Sequence, residues 1–208
     1  MPTNGAVASG QVNITAPNAS SMVINQSSAR AIVNWQTFSV GAQNSVVFNQ
    51  PGVSSSILNR VTGDATSTIA GQISANGQVF LINPNGIAIT PTGSLHVGGG
   101  FLASTLNILD DDFKSGQFRF YGNGSASQVS NAGHIVTNAG GFVALLGGSV
   151  ENTGTLSVPV GKVAIGSGEQ ATLDFSGDGF LQVAIPTQST KNPLLTVAGN
   201  VNASGGRV

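Results

Sequence analysis

The chain has no cysteine. That excludes a disulfide scaffold, thiol catalysis and Cys-ligated zinc. Charge is also scarce: Asp, Glu, Lys and Arg make up 7% of 208 residues, against roughly 25% in an ordinary globular domain. The seven Lys and Arg residues are scattered, so no basic patch invites nucleic acid or an anionic membrane surface. Long apolar runs are missing as well. None approaches the roughly 20 residues that a spanning helix needs. The opening Met1-Pro2-Thr3-Asn4-Gly5 lacks the basic start and apolar stretch of a secretory signal. The chain is therefore cytosolic or begins after a removed signal.

What is present is a series of short β-type runs broken by Gly, Asn and Pro. The earlier ones are Gln11–Thr15, Met22–Asn25, Val46–Phe48, Gln78–Ile82, Ile87–Thr90 and Ser94–Val97. Later ones are Gln117–Tyr121, Gly141–Leu146, Lys162–Ile165, Phe180–Ile185 and Leu194–Val197. Apolar residues at alternating or continuous positions argue for strands over helices. With 40% apolar residues and a net charge of −1, the chain can build a core and is not disordered. One helical turn is expected at Asp110–Ser115, capped by Asp110 and ended by Gly116.

The runs repeat. Ala70-Gly71-Gln72-Ile73 is echoed by Thr92-Gly93-Ser94-Leu95, and Asn131-Ala132-Gly133-His134-Ile135 by Asn152-Thr153-Gly154-Thr155-Leu156. Ala198-Gly199-Asn200-Val201 continues the theme. The glycine spacings are 93 − 71 = 22, 154 − 133 = 21 and 199 − 154 = 45, the last about two units. A period near 21 suits one coil of a β-solenoid with three short strands per turn. The expected fold is all-β, a parallel β-helix, with glycine or asparagine supplying φ > 0 at the corners. Residues 1–208 read as a single domain, or one slice of a longer solenoid. Residues 1–48 depart from the period and read as an N-terminal cap, with Trp35 and Phe38 closing the core. Coils fill about 49–208, with extra-helical β elements.

Five ordered blocks carry a resemblance. They are Ile32-Val33-Asn34-Trp35-Gln36-Thr37-Phe38-Ser39-Val40, Val47-Phe48-Asn49-Gln50-Pro51 and Ile57-Leu58-Asn59-Arg60-Val61-Thr62-Gly63. Ala75-Asn76-Gly77-Gln78-Val79-Phe80-Leu81-Ile82-Asn83-Pro84-Asn85-Gly86-Ile87 and Phe101-Leu102-Ala103-Ser104-Thr105-Leu106 complete them. In this order the chain, from roughly Gly5 to Ala184, resembles the N-terminal two-partner-secretion domain of filamentous-haemagglutinin-like exoproteins. It is most similar in flavour to the high-molecular-weight adhesins. The resemblance implies a right-handed β-helix. It also implies recognition in the periplasm by a cognate outer-membrane β-barrel transporter with POTRA domains, and release at the surface of, or outside, a Gram-negative cell. A cleaved signal peptide preceding this chain fits that route. The family's Asn-Pro-Asn-Leu motif is missing here. Gln50-Pro51 and Leu58–Val61 occupy its region, so that motif's role does not transfer.

The residues implied in secretion are Asn83, Pro84, Asn85, Gly86 and Ile87, with Asn59 and Arg60. Turn chemistry explains Asn83–Gly86 by itself, as Asn, Pro, Asn and Gly at i to i+3 of a type I turn. Arg60 binds either an acidic group on the transporter or a backbone carbonyl of its own chain. Asp110-Asp111-Asp112 reads as solvated acids at a helix start. Five Asn-X-Ser/Thr sequons, at Asn13, Asn18, Asn25, Asn123 and Asn202, are expected by chance in so Asn-rich a chain. His96 and His134 show no Ser–His–Asp order and no metal signature, and belong on outer strand faces. No enzyme, no cofactor and a monomer are expected. The alternatives are an adhesive face that binds a host receptor and, behind it, a polysaccharide-active β-helical enzyme. The solenoid also reads as a nucleus for β-helix folding outside the cell.

Overall fold

A computed structural model describes residues 1–122, 124, 127–174, 181–184 and 195–208. Three sheets wrap a common core as a parallel β-solenoid of about six turns. Sheet A holds Ala6–Ser9, Arg30–Trp35, Ser56–Val61, Gln78–Ile82, Gly100–Ser104, Phe142–Gly147 and Lys162–Ser167, in that spatial order. Sheet B holds Val12–Asn18, Ser21–Gln26, Ser45–Asn49, Gln72–Ala75, Ser94–Val97, His134–Thr137, Thr155–Ser157 and Asn200–Asn202. Sheet C holds Ser67–Ile69, Ile87–Ile89, Gln128–Asn131, Ser149–Asn152 and Leu195–Val197. Of the expected strand Phe180–Ile185 only 181–184 is described, and Leu194 and the Asn123 sequon lie outside the described residues.

The inward faces form one core, from Met22 and Ile24 at one end through Phe48, Phe101 and Leu145 to Val163. Sheet B alternates cleanly: in Ser94–Val97, Leu95 and Val97 are buried while Ser94 and His96 face solvent. Sheet A does not alternate. Gln78–Ile82 and Phe142–Gly147 are almost wholly buried. The reason is a second core on its outer face, built from Ile32, Leu58, Phe80, Leu102, Phe142 and Leu146. Continuous apolar runs are what a strand covered on both sides requires.

The cover comes from two excursions. The first runs through Asn107–Ile108, a helix at Asp110–Ser115 and Phe118–Tyr121. The second contributes Gln170–Leu173 and Leu181–Ala184, and the four strands form an antiparallel sheet D. Phe113 and Phe118 lie against Phe80, with ring centroids 5.3 and 5.2 Å away. Phe113 is fully buried and anchors the helix.

Three expectations need correction. The cap is shorter than 1–48, because parallel pairing begins at Ser21, which lies beside Ser45, and Arg30 lies beside Ser56. Of the strands in sheets A and B, Ala6–Ser9 and Val12–Asn18 run antiparallel, closing the open edges of those sheets. Pro17 sits on the outermost strand, where a missing N–H costs no ladder bond. Next, the spacing of 45 is one coil rather than two, since Thr155 pairs directly with Asn200. The second excursion fills the difference, as the first does between Gly93 and Gly133. Last, the repeat glycines do not serve φ > 0. A Cβ on Gly133 would lie 2.4 Å from the Gly93 carbonyl oxygen, and one on Gly154 would lie 2.2 Å from that of Gly133. Glycine is needed there because successive backbones stack too closely for any side chain.

Candidate functional site: the Asn83 corner and the Arg60 clamp

Register brings the two sequence blocks together. Asn59 pairs with Leu81 and Arg60 with Ile82 on neighbouring strands of sheet A. Asn83 therefore leaves the sheet directly beyond Arg60's partner.

Asn83–Gly86 closes as a turn, with the Gly86 N–H donating to the Asn83 carbonyl at 3.0 Å. Gly86 takes φ +116°, which L side chains avoid. Asn83 itself is fully buried. Its Oδ1 accepts the Asn85 N–H at 3.0 Å, and its Nδ2 donates to the Ala65 carbonyl and to Ser67 Oγ, both at 2.9 Å. Asn85 is exposed and its Nδ2 reaches the Gly63 carbonyl at 2.8 Å. Pro84 is half-buried. Ile87 is buried and starts a sheet C strand between Ser67 and Val129. The corner thus fastens one coil to the segment Gly63–Ser67 of the coil before it. Nothing in the spacing announced Ala65 and Ser67 as its partners.

Asn59 is also fully buried. It accepts from Trp35 Nε1 at 3.0 Å and donates to the Phe80 carbonyl at 3.3 Å. Trp35 packs edge-on against Phe38, with centroids 5.5 Å apart, and both rings are buried in the first coil. Gly5 lies over Trp35, where a Cβ would be 2.5 Å from the ring.

Arg60 faces outward but is committed to the first excursion. Its guanidinium donates to Asn107 Oδ1 at 3.0 Å, to the Ile108 carbonyl at 2.7 Å and to Asp110 Oδ1 at 2.7 Å. Asp110 is thus an ion-pair partner rather than the helix cap. Leu109 holds the N-cap position, without a side-chain hydrogen bond, while Gly116 ends the helix in the left-handed conformation. The other two acids are paired as well. Asp111 meets Lys114 at 2.7 Å and Asp112 meets Arg119 at 2.6 Å. The hydrogen bond and charge of Lys114 hold the Asp111 carboxyl below its ordinary value, and Asp111 in turn raises Lys114. Asp112 likewise raises Arg119. Arg30 adds a second tie, donating to the Lys114 carbonyl at 2.8 Å.

This solenoid, its antiparallel cap and its excursions match a known secretion architecture. Residues 1–208 match the TPS secretion domain family. The chain belongs to that family. The TPS secretion domain described here superposes on the crystal structure of the HMW1 secretion domain from Haemophilus influenzae with a TM-score of 0.86. The two share 31% identity, over 99% of this chain and 54% of that one. The filamentous hemagglutinin secretion domain shares the fold, with a TM-score of 0.63 at 15% identity over 93% of this chain and 74% of that one. Two curated relatives, both named heme/hemopexin-binding protein and both from Haemophilus influenzae, are 30% identical over 99% of this chain and 36% identical over 60% of it. The TPS domain spans only 24% and 13% of their lengths. Members of this family serve two-partner secretion and are recognised by a partner outer-membrane transporter. The family is one of secretion domains of adhesin-like proteins.

Proposed function

We propose that this domain is the export address of a larger adhesin- or haemagglutinin-like protein, read in the periplasm by the POTRA domains of its cognate barrel transporter. The match along the whole of residues 1–208 carries the reading. A chain without cysteine and with 7% charged residues suits passage in an unfolded state. Within the site the roles divide. Asn83, Asn59 and Arg60 act through the fold, since two are buried and the third is committed to Asn107, Ile108 and Asp110. Asn85, exposed at the tip of the corner, is the residue of the motif that a transporter can touch.

The same geometry supports folding outside the cell. The outermost strands Leu195–Val197 and Asn200–Asn202 offer pairing edges, and Leu195 and Val197 stand exposed on the first of them. A following coil would bury that surface, which makes return to the periplasm unfavourable without any nucleotide. We place receptor binding and any host-directed activity in other parts of the longer protein. A binding assay on this domain alone tests that placement. Co-expression with the cognate transporter tests the address itself: a passenger fused behind the domain should reach the medium, and one without the domain should stay inside.

A further inference from the structure

The two histidines of the chain are 134 − 96 = 38 residues apart, which is neither one coil nor two. The first excursion hides their relationship, because it leaves sheet A after Ser104 and returns to sheet C at Gln128. In the fold His96 lies on Ser94–Val97 and His134 on His134–Thr137, adjacent parallel strands of sheet B. The register sets Ser94 beside His134 and His96 beside Val136. Both histidines therefore point to the same outer face, one strand and two residues apart, and both are exposed. With strands about 4.8 Å apart and a rise of about 3.3 Å per residue, their Cα atoms are roughly 8 Å apart. Metal–imidazole bonds are about 2.0–2.1 Å for zinc, so two rings so placed can meet on one ion. Neither imidazole has a hydrogen-bond or ion-pair partner among the described residues.

We propose that His96 and His134 together bind one divalent transition-metal ion, Cu(II) in preference to Zn(II). Imidazole nitrogen suits both metals, and affinity for such sites rises to a maximum at copper. Among the described residues no group of three His, Cys, Asp or Glu surrounds an ion, so water completes the coordination. The site is thus open, exchangeable and accessible from the flat face of the sheet. It is independent of the secretion corner, which lies between sheets A and C.

The test is titration of Cu(II) into the 208-residue chain, read by calorimetry and by the nitrogen hyperfine pattern in electron paramagnetic resonance. One ion per chain, with two imidazole nitrogens, is expected. Loss of even an outer-shell partner costs a metal site roughly 10–100-fold in affinity, so H96A and H134A should each weaken binding at least about tenfold. Both positions are exposed, and metal-free melting of the variants should match that of the parent. Binding that survives in both variants would place the copper elsewhere, for example on the N-terminal amine, and overturn the site. Binding lost in only one variant would overturn the pairing.

Discussion

Trp35 Nε1 donates to Asn59 Oδ1 at 3.0 Å, and the bond joins the first coil to the second inside the core. It explains why a buried polar side chain is tolerated between Leu58 and Arg60. Asn59 also holds the Phe80 carbonyl, so its amide spans three successive strands of sheet A. Trp35→Phe keeps the ring and leaves the Asn59 oxygen without its donor. A cost of about 1–3 kcal/mol is expected, measured by urea unfolding followed by circular dichroism. In a double-mutant cycle with Asn59→Leu the second change should cost less than it does alone.

The stacked glycines give a contrast. Gly154→Ala drives a methyl to within 2.2 Å of the Gly133 carbonyl oxygen. It should lower stability by about 1–3 kcal/mol or more, since the neighbour is backbone and has little room to yield. Gly52→Ala meets nothing within 4 Å. It should be neutral or slightly stabilising, by up to about 1 kcal/mol. Thermal melts of the two variants separate close approach from mere turn preference.

Arg60→Lys should loosen the first excursion without unfolding the coils. A lysine cannot reproduce the fork that meets Asn107, Ile108 and Asp110 together. The ion pair with the half-exposed Asp110 adds little. The main loss is the guanidinium hydrogen bonds to the Asn107 side chain and the Ile108 carbonyl, which hold the edge strand. Hydrogen exchange should speed up across residues 107–121 while Gln78–Ile82 stays protected. Strong acid, below the ordinary carboxylate range, should act in the same direction. The Asp111 carboxyl is held below its ordinary value of 3.8 by Lys114. Its small contribution is full above that value and is lost as pH falls through the lower folded value.

The buried asparagine ladder predicts a gain. Asn131 Nδ2 donates to Asn152 Oδ1 at 2.8 Å, but Asn152 Nδ2 has no partner among the described residues, and Val197 stands opposite it on the next strand. Val197→Asn supplies an acceptor at that step. Stability should rise by about 0.5–1.5 kcal/mol, read as a higher melting temperature. An unchanged or lower value would mean that the orphaned donor is already satisfied.

The coils were legible in the sequence because each short apolar run must repeat at the corner glycines. The helix at Asp110–Ser115 was legible from its acids and Gly116. The excursions were not: they turn one coil into a spacing of 40 or 45, which looks like two coils or a broken period. The run Phe142–Leu146 carried the missed signal, since a strand apolar on both faces needs a cover on each. At the candidate site the turn at Asn83–Gly86 followed from its residue types. Its anchors at Ala65 and Ser67, and the grip of Arg60 on residues 47 to 50 positions away, depend on coil register, which no local pattern reveals. The N-terminal boundary was misplaced because Ser21–Gln26 and Arg30–Trp35 pair in parallel without the repeat's glycine signature.

We propose that the transporter accepts the domain only when the Asn83 corner is built. Asn83→Ala leaves the Ala65 carbonyl, Ser67 Oγ and the Asn85 N–H without a partner, a cost of about 2–4 kcal/mol. The decisive measurement is the secreted fraction of the exoprotein carrying Asn83→Ala, co-expressed with its cognate transporter and compared with the parent and with Asn85→Ala. A clear fall is expected for Asn83→Ala. Secretion of that variant at the parental level would contradict this role of the corner.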